Sequence, residues 1–242
     1  MQFNKVISVG LFTVLLFGSL LSGCAKQQRV TFITTGPGRK EVPKVYGDKI
    51  VCSASKNAED TIYMYDLSTK TGSTLPVSEG SHTAQLDIFQ NRIVWSRGTW
   101  DAITVYDLEA NTETEITTRT KTPGHKASPA IYGDKVVWED YRDGGAQIYM
   151  YDMASETETL ISAIDHDPGQ INNGSDPDIY KNKIVWQGMS PDTWWDIYMY
   201  DLGPDGIKDT SDDGGEMQIT NAPKTQGAPK IFGNVIVWMD KR

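Results

Sequence analysis

The stretch Ser128-Pro129-Ala130-Ile131-Tyr132-Gly133-Asp134-Lys135-Val136-Val137-Trp138-Glu139-Asp140, followed after a short gap by Gln147-Ile148-Tyr149-Met150-Tyr151-Asp152-Met153, decides the fold. Its apolar runs are too short for helices and are rich in Val, Ile, Tyr and Trp, residues that fit a pleated, buried surface. Gly133-Asp134 suits a two-residue hairpin turn, in which positive φ is required. The stretch reads as three successive antiparallel strands.

The pattern recurs along the chain. Lys49-Ile50-Val51-Cys52, Arg92-Ile93-Val94-Trp95, Lys135-Val136-Val137-Trp138, Lys183-Ile184-Val185-Trp186 and Val235-Ile236-Val237-Trp238 follow one another in steps of 43, 43, 48 and 52 residues. A Tyr-rich block follows the first four: Ile62 to Leu67, Ile103 to Leu108, Ile148 to Met153 and Ile197 to Leu202. A short fourth segment ends in Glu115-Ile116-Thr117, Leu160-Ile161-Ser162 or Gln218-Ile219-Thr220. Four strands every 40 to 50 residues or so is the spacing of propeller blades. The expected fold is all-β: a β-propeller of four-stranded antiparallel blades, four full and a partial fifth, over residues 42–242. Val30-Thr31-Phe32-Ile33-Thr34-Thr35 is similar to Glu115-Ile116-Thr117-Thr118 and is expected to supply an outer strand to the last blade. That blade would still lack its Tyr-rich strand, so the chain reads as a truncated member of a longer propeller.

The repeat resembles that of TolB-like propellers, and it is similar also to repeats of archaeal cell-surface proteins, notably of methanogens. The resemblance covers Val42 to Arg242 and implies a fold and an extracytoplasmic setting; a fold by itself carries no activity. A strict TolB resemblance would imply a soluble periplasmic component of an envelope complex.

The N-terminus departs from that soluble pattern. Val6 to Leu21 carries no charge and follows Lys5, the form of a signal peptide over residues 1–23. Leu21-Ser22-Gly23-Cys24 resembles the lipobox of prokaryotic lipoproteins, which implies a diacylglycerol on Cys24 and a membrane anchor followed by a linker over residues 24–41. Two acyl chains suffice for stable anchoring. The expected location is extracytoplasmic, at the cell surface or in the periplasm.

Composition narrows the partners. Lys+Arg 23 against Asp+Glu 32 gives a net charge of −9, which argues against a surface that condenses on nucleic-acid phosphates. Two cysteines among 242 residues exclude a disulfide scaffold. Cys52 takes the place of the repeat tryptophan and reads as a small buried hydrophobe. No Gly-x-Ser-x-Gly, His-Glu-x-x-His or Cys-x-x-Cys motif is present in the sequence.

Subtracting the repeat isolates the residues that packing does not require. Of 18 Trp and Tyr residues, all but Trp100, Tyr141, Trp194 and Trp195 fall at recurrent strand positions. These four lie between the second and third strands of their blades. Chain direction alternates, so such connections open at the same end as the links between blades, which carry His82, His125 and His166. Arg97 and Arg142 lie beside the aromatics. Aromatic rings with planar polar neighbours suit sugars or a protein surface; they suit equally the capping of strand ends. Trp100, Tyr141, Arg142, Trp194, Trp195, His82 and His125 are the ligand-binding candidates. At the opposite end, Asp201 to Glu216 is dense in carboxylates, and Asp205, Asp209, Asp212, Asp213 and Glu216 are candidate Ca²⁺ ligands, although the EF-hand series is incomplete.

Two function classes follow. One is a non-catalytic surface lipoprotein that binds proteins or glycans or organises the envelope. The other is an extracellular carbohydrate-active enzyme, a lyase or glycosidase, which needs converging acid and base groups; His125, Glu139, Asp140 and Asp176 are the nearest candidates.

Overall fold

The computed structural model describes residues 38–56, 59–78, 85–97, 101–117, 124–142, 144–162, 174–189 and 195–241. It also gives the backbone of three strands nearer the N-terminus, β1 (Val6–Val9), β2 (Phe12–Val14) and β3 (Val30–Phe32). Every regular element among the described residues is a strand. No helix among the described residues is long and apolar enough to cross a membrane. The chain divides into two units, Met1–Ala84 and Gln85–Arg242.

In the first unit, β3 pairs parallel with β1, whose other edge holds β2. The strand expected at Val30 is present as Val30–Phe32. The unit also contains a meander of β4 (Arg39–Tyr46), β5 (Lys49–Lys56), β6 (Glu59–Asp66) and β7 (Thr71–Thr74). Cys52 is buried here opposite Tyr63, and desolvation pushes its thiol up to about 11, with Lys40 opposing. It is packing, as expected.

The second unit repeats the meander three times: β8 (Leu86–Phe89), β9 (Arg92–Arg97), β10 (Ala102–Asp107) and β11 (Thr112–Glu115); β12 (Lys126–Tyr132), β13 (Lys135–Asp140), β14 (Gln147–Asp152) and β15 (Thr157–Leu160); and β16 (Ser175–Tyr180), β17 (Lys183–Gly188), β18 (Asp196–Asp201) and β19 (Gly215–Gln218). A two-stranded sheet of β20 (Gln226–Phe232) and β21 (Val235–Asp240) ends it. The architecture is that of a β-propeller with four four-stranded antiparallel blades and a further hairpin.

Register explains why the repeat has the residues it has. The cation opening the second strand lies opposite the aspartate closing the third, as in Lys135↔Asp152 and Lys183↔Asp201. Lys135 bonds Asp152 at 2.9 Å, and Lys183 bonds Asp201. The same aspartates accept from the turn beyond: Asp152 from the Ala154 N–H at 2.9 Å, Asp107 from Glu109 and Ala110 at 2.9 Å. Three residues further along the second strand, Trp138 stacks on Tyr149 and Trp186 on Tyr198, with centroids 6.1 and 6.2 Å apart. The first hairpin turn holds φ near +60° in each blade, through Gly47, Gly133 and Gly233 but also Gln90 and Lys181.

Between sheets of the second unit the first strands stand side by side. Phe89, Tyr132, Tyr180 and Phe232 form a ladder with centroids 4.5, 4.9 and 5.0 Å apart. Asp87 accepts from the Ile131 N–H at 3.1 Å and Asp178 from Ile231 at 2.8 Å.

Candidate functional site

The third blade gathers a dense polar group where β12 begins and β13 ends. At its centre is Asp140, with no exposed surface. It accepts from Trp138 Nε1 at 2.9 Å, from the Arg142 N–H at 2.9 Å and from an Arg142 guanidinium nitrogen at 2.5 Å. The equally buried Lys126 Nζ lies 3.8 Å away and donates to the Gly124 carbonyl at 3.3 Å. Burial alone would raise the Asp140 pKa, but the bonds from Arg142 and Trp138 overcompensate and hold it below the usual carboxylate value. Arg142 also bonds Glu158 and covers the Tyr149 ring at 4.2 Å. Its guanidinium is thus engaged within the blade. Gly124 is required here, since a Cβ would lie 2.8 Å from the Arg142 Cα.

Beside this group His125 is exposed and Tyr141 half-buried. The Tyr141 N–H donates to the His125 carbonyl at 2.9 Å, and the two rings meet edge to face with centroids 5.5 Å apart. The Tyr141 hydroxyl donates to the Glu139 carboxylate. Desolvation, that bond and the charge of Asp176 all raise its pKa. Partial burial of the ring lowers the pKa of His125, although the residue as a whole is exposed, and Glu139 acts in the opposite direction.

One contributor was missed by the sequence reading. Val42, Ser128, Asp176 and Ala228 all have φ near +50°, and each precedes a proline: Pro43, Pro129, Pro177 or Pro229. At each, the pairing of the first two strands shifts register, which makes a β-bulge. At two of the bulges the N–H is turned out of the ladder and taken by a glutamine: Ser128 donates to Gln85 Oε1 at 2.6 Å, Ala228 to Gln187 Oε1 at 2.9 Å. The Ser128 hydroxyl reaches Asp176 Oδ1 at 3.4 Å. Gln85, His125, Ser128, Glu139, Tyr141 and Asp176 therefore form one polar cluster across neighbouring blades. Non-glycine positive φ is uncommon and clusters at functional sites. The signal was the X-Pro pair at the same place in four units.

Other candidates are placed as follows. Trp195 is half-buried, and its carbonyl accepts from the Gln226 N–H at 2.8 Å, which fixes it at the same end of the sheets. Arg97 lies 3.8 and 3.9 Å from Glu113 and Glu115. Cys24, His82, Trp100, His166 and Trp194 lie outside the described residues.

In the acidic loop only Asp205, Asp212 and Asp213 bring carboxylate oxygens within 4.8 Å of one another. Asp209 turns to Lys208 at 2.9 Å, and Glu216 lies in β19 opposite Tyr200. Of the five expected from spacing three are brought together, because Asp209 faces Lys208 and Glu216 belongs to the strand. Asp212 accepts from the Asp205 N–H at 3.2 Å and the Thr210 hydroxyl at 2.5 Å; Asp213 accepts from Tyr200 at 2.8 Å and the Asp209 N–H at 2.7 Å. A cavity of about 580 Å³ adjoins the loop, lined among others by Tyr180, Lys183, Asp201, Asp212 and Asn234.

No protein family and no curated protein matches the sequence. Solved structures do match in fold. The chain is similar to TolB from Acinetobacter baumannii at 14% identity and a TM-score of 0.55, over 85% of this chain and 52% of that one. It is similar to a putative TolB from Agrobacterium tumefaciens at 16% identity and a TM-score of 0.56, over 81% and 67%. It is similar to a puromycin-hydrolysing peptidase of Mycobacterium tuberculosis at 12% identity and a TM-score of 0.56, over 79% of this chain and 32% of that one. The chain thus spans about half the length of the first of these structures. At these identities the likeness establishes the β-propeller fold.

Proposed function

We propose that the chain is an extracytoplasmic lipoprotein, held to a membrane by an acylated Cys24, whose propeller is a non-catalytic module binding a glycan or protein surface. The observation that carries this reading is the division of labour around Asp140. Its charge is engaged by Lys126, Trp138 and Arg142, while beside it the exposed His125 ring meets the half-buried Tyr141 ring edge to face. Rings held this way bury area at little entropic cost on binding. Trp195, Trp100 and Trp194 extend the surface in this proposal, and residues 42–242 act as the binding domain behind the linker of residues 24–41. The acidic balance disfavours nucleic acid as a partner.

The test uses the full chain in detergent micelles on a glycan and peptidoglycan array. Binding without product, weakened about tenfold or more by Tyr141→Ala, is expected. Product formation abolished by His125→Ala would replace this reading with that of a carbohydrate-active enzyme, in which Glu139, Asp140 and Asp176 are the remaining acid-base candidates. For the anchor, Cys24→Ser is expected to release the protein from membranes into the soluble fraction; retention on the membrane would exclude the lipid attachment.

A further inference from the structure

We propose, resting on the reading of the third blade as a binding surface, that Glu139 and Asp176 receive the ammonium of a lysine side chain from a protein partner. Alternation along β13 turns Glu139 away from Asp140. Val137 packs with Ile184 and Trp186 of the fourth blade, and Trp138 with Val94 and Ile103 of the second. Glu139 therefore shares the face that meets the fourth blade. It is 6% exposed, and its carboxylate accepts from the neutral Tyr141 hydroxyl. Asp176, in the fourth blade, is half-buried and accepts from the Ser128 hydroxyl at 3.4 Å. No lysine or arginine among the described residues pairs with either carboxylate, although buried charges are ordinarily paired. His125 adds little charge at pH 7, because partial burial holds its pKa below the usual histidine value.

The neighbouring junctions show what this one lacks. Ser96 and Gln187 stand where Glu139 does, directly after the repeat tryptophan; Lys126 and Gln226 stand where Gly174 does, three residues before a proline. The pair is thus Ser96 with Lys126 between the second and third blades, and Gln187 with Gln226 between the fourth blade and the last hairpin. Between the third and fourth blades it is Glu139 with Gly174, a carboxylate with no side chain to meet it. Gly174 leaves no room for a cation, since a Cβ there would lie 2.6 Å from Ile148 Cγ1, and Ile148 is the cross-strand neighbour of Glu139. Lys126 and Arg142 are engaged with Asp140, on the face of β13 that carries Trp138. The counterion is left to a partner. A narrow charged head on a flexible stem suits carboxylates enclosed to this degree. The edge-to-face rings of His125 and Tyr141 offer that stem an apolar bed, and an aromatic face attracts the ammonium as well.

Saturation-transfer nuclear magnetic resonance of the full chain in detergent micelles compares a capped peptide of one lysine between two glycines with its Nε-acetylated counterpart. The charged peptide is expected to bind, and the acetylated one to bind about tenfold or more weakly. Glu139→Gln and Asp176→Asn are each expected to weaken the charged peptide about tenfold or more. Equal binding of the two peptides, unchanged binding in either variant, or no binding of the charged peptide would each overturn the proposal. The glycan and peptidoglycan array separates this failure from that of the binding surface itself: array binding weakened by Tyr141→Ala, with indifference to the lysine peptide, leaves the module standing and removes this ligand. Melting supplies a reading that needs no ligand. Glu139→Gln keeps the shape and the acceptor for Tyr141 and strands no cation, so it is expected to melt at or above the temperature of the parent. A loss as large as that of Asp140→Asn would mean that the chain supplies the counterion itself, which also overturns the proposal.

Discussion

The hairpin β16–β17 and the hairpin β20–β21 share the strand core Ile-Val-Trp and have opposite environments. Ile184, Val185 and Trp186 correspond by register to Ile236, Val237 and Trp238. Val185 has no exposed surface and Trp186 has 1%; Trp238 has 39%. The difference lies in what flanks them: β17 has β18 on its outer edge and β20 packed nearby, whereas β21 pairs only with β20 among the described residues. An apolar strand sequence thus states where burial is available, and the third strand and the next sheet realise it.

The sharpest way to break the comparison is to truncate both tryptophans. Trp186→Ala is expected to cost about 3–5 kcal/mol, because it empties a packed site. Trp238→Ala is expected to cost under about 1 kcal/mol in the monomer, as surface substitutions do. Urea denaturation of both variants measures the gap, and equal losses would mean that the hairpin is covered in solution.

The next contrast uses Trp138-Glu139-Asp140 against Trp238-Met239-Asp240. Asp140→Asn leaves Lys126 and Arg142 without their shared carboxylate and is expected to cost about 3 kcal/mol; Asp240→Asn, on an exposed residue, is expected to cost far less. The sign with pH follows. The folded carboxyl of Asp140 lies below its unfolded value, so its contribution is present above about pH 4 and is lost as pH falls through the folded pKa. Acid titration followed by near-ultraviolet circular dichroism is expected to show an acid transition whose midpoint moves in Asp140→Asn and stays in place in Asp240→Asn.

The smallest effect belongs to the bulge of the exposed hairpin. Ala228 holds φ at +51°, where a Cβ is disfavoured. Ala228→Gly relieves that strain at some cost in unfolded-chain entropy, and a net stabilisation under about 1 kcal/mol is expected in thermal melts. In Ser128→Gly the same relief is offset by loss of the hydroxyl that reaches Asp176, so that variant is expected to be the less stable of the two relative to its parent.

How far the sequence spoke depended on range. The strands, the glycine turns at Gly47, Gly133 and Gly233, and the burial of Cys52 follow from local pattern, because period and turn chemistry act within a few residues. The proximity of His125 to Tyr141 was legible from alternating strand direction alone. The pairing of Ser128 with Gln85 and Asp176 was not, because those partners lie 43 and 48 residues away and meet only after neighbouring sheets pack. Arg142 was read as a contact residue, yet its engagement with Glu158 depends on where β15 lies beside β14. The three-residue grouping in the acidic loop likewise depends on how the loop folds back on itself.

The aromatic ladder has a consequence for how such a chain can change length. Each rung from Phe89 to Phe232 needs only a ring at the same place one unit further on. Tandem duplication of a unit therefore delivers both halves of the new junction at once, and loss of a unit removes both. Gene rearrangement in whole units leaves the remaining junctions chemically intact, so blade number can drift without redesign of any single contact.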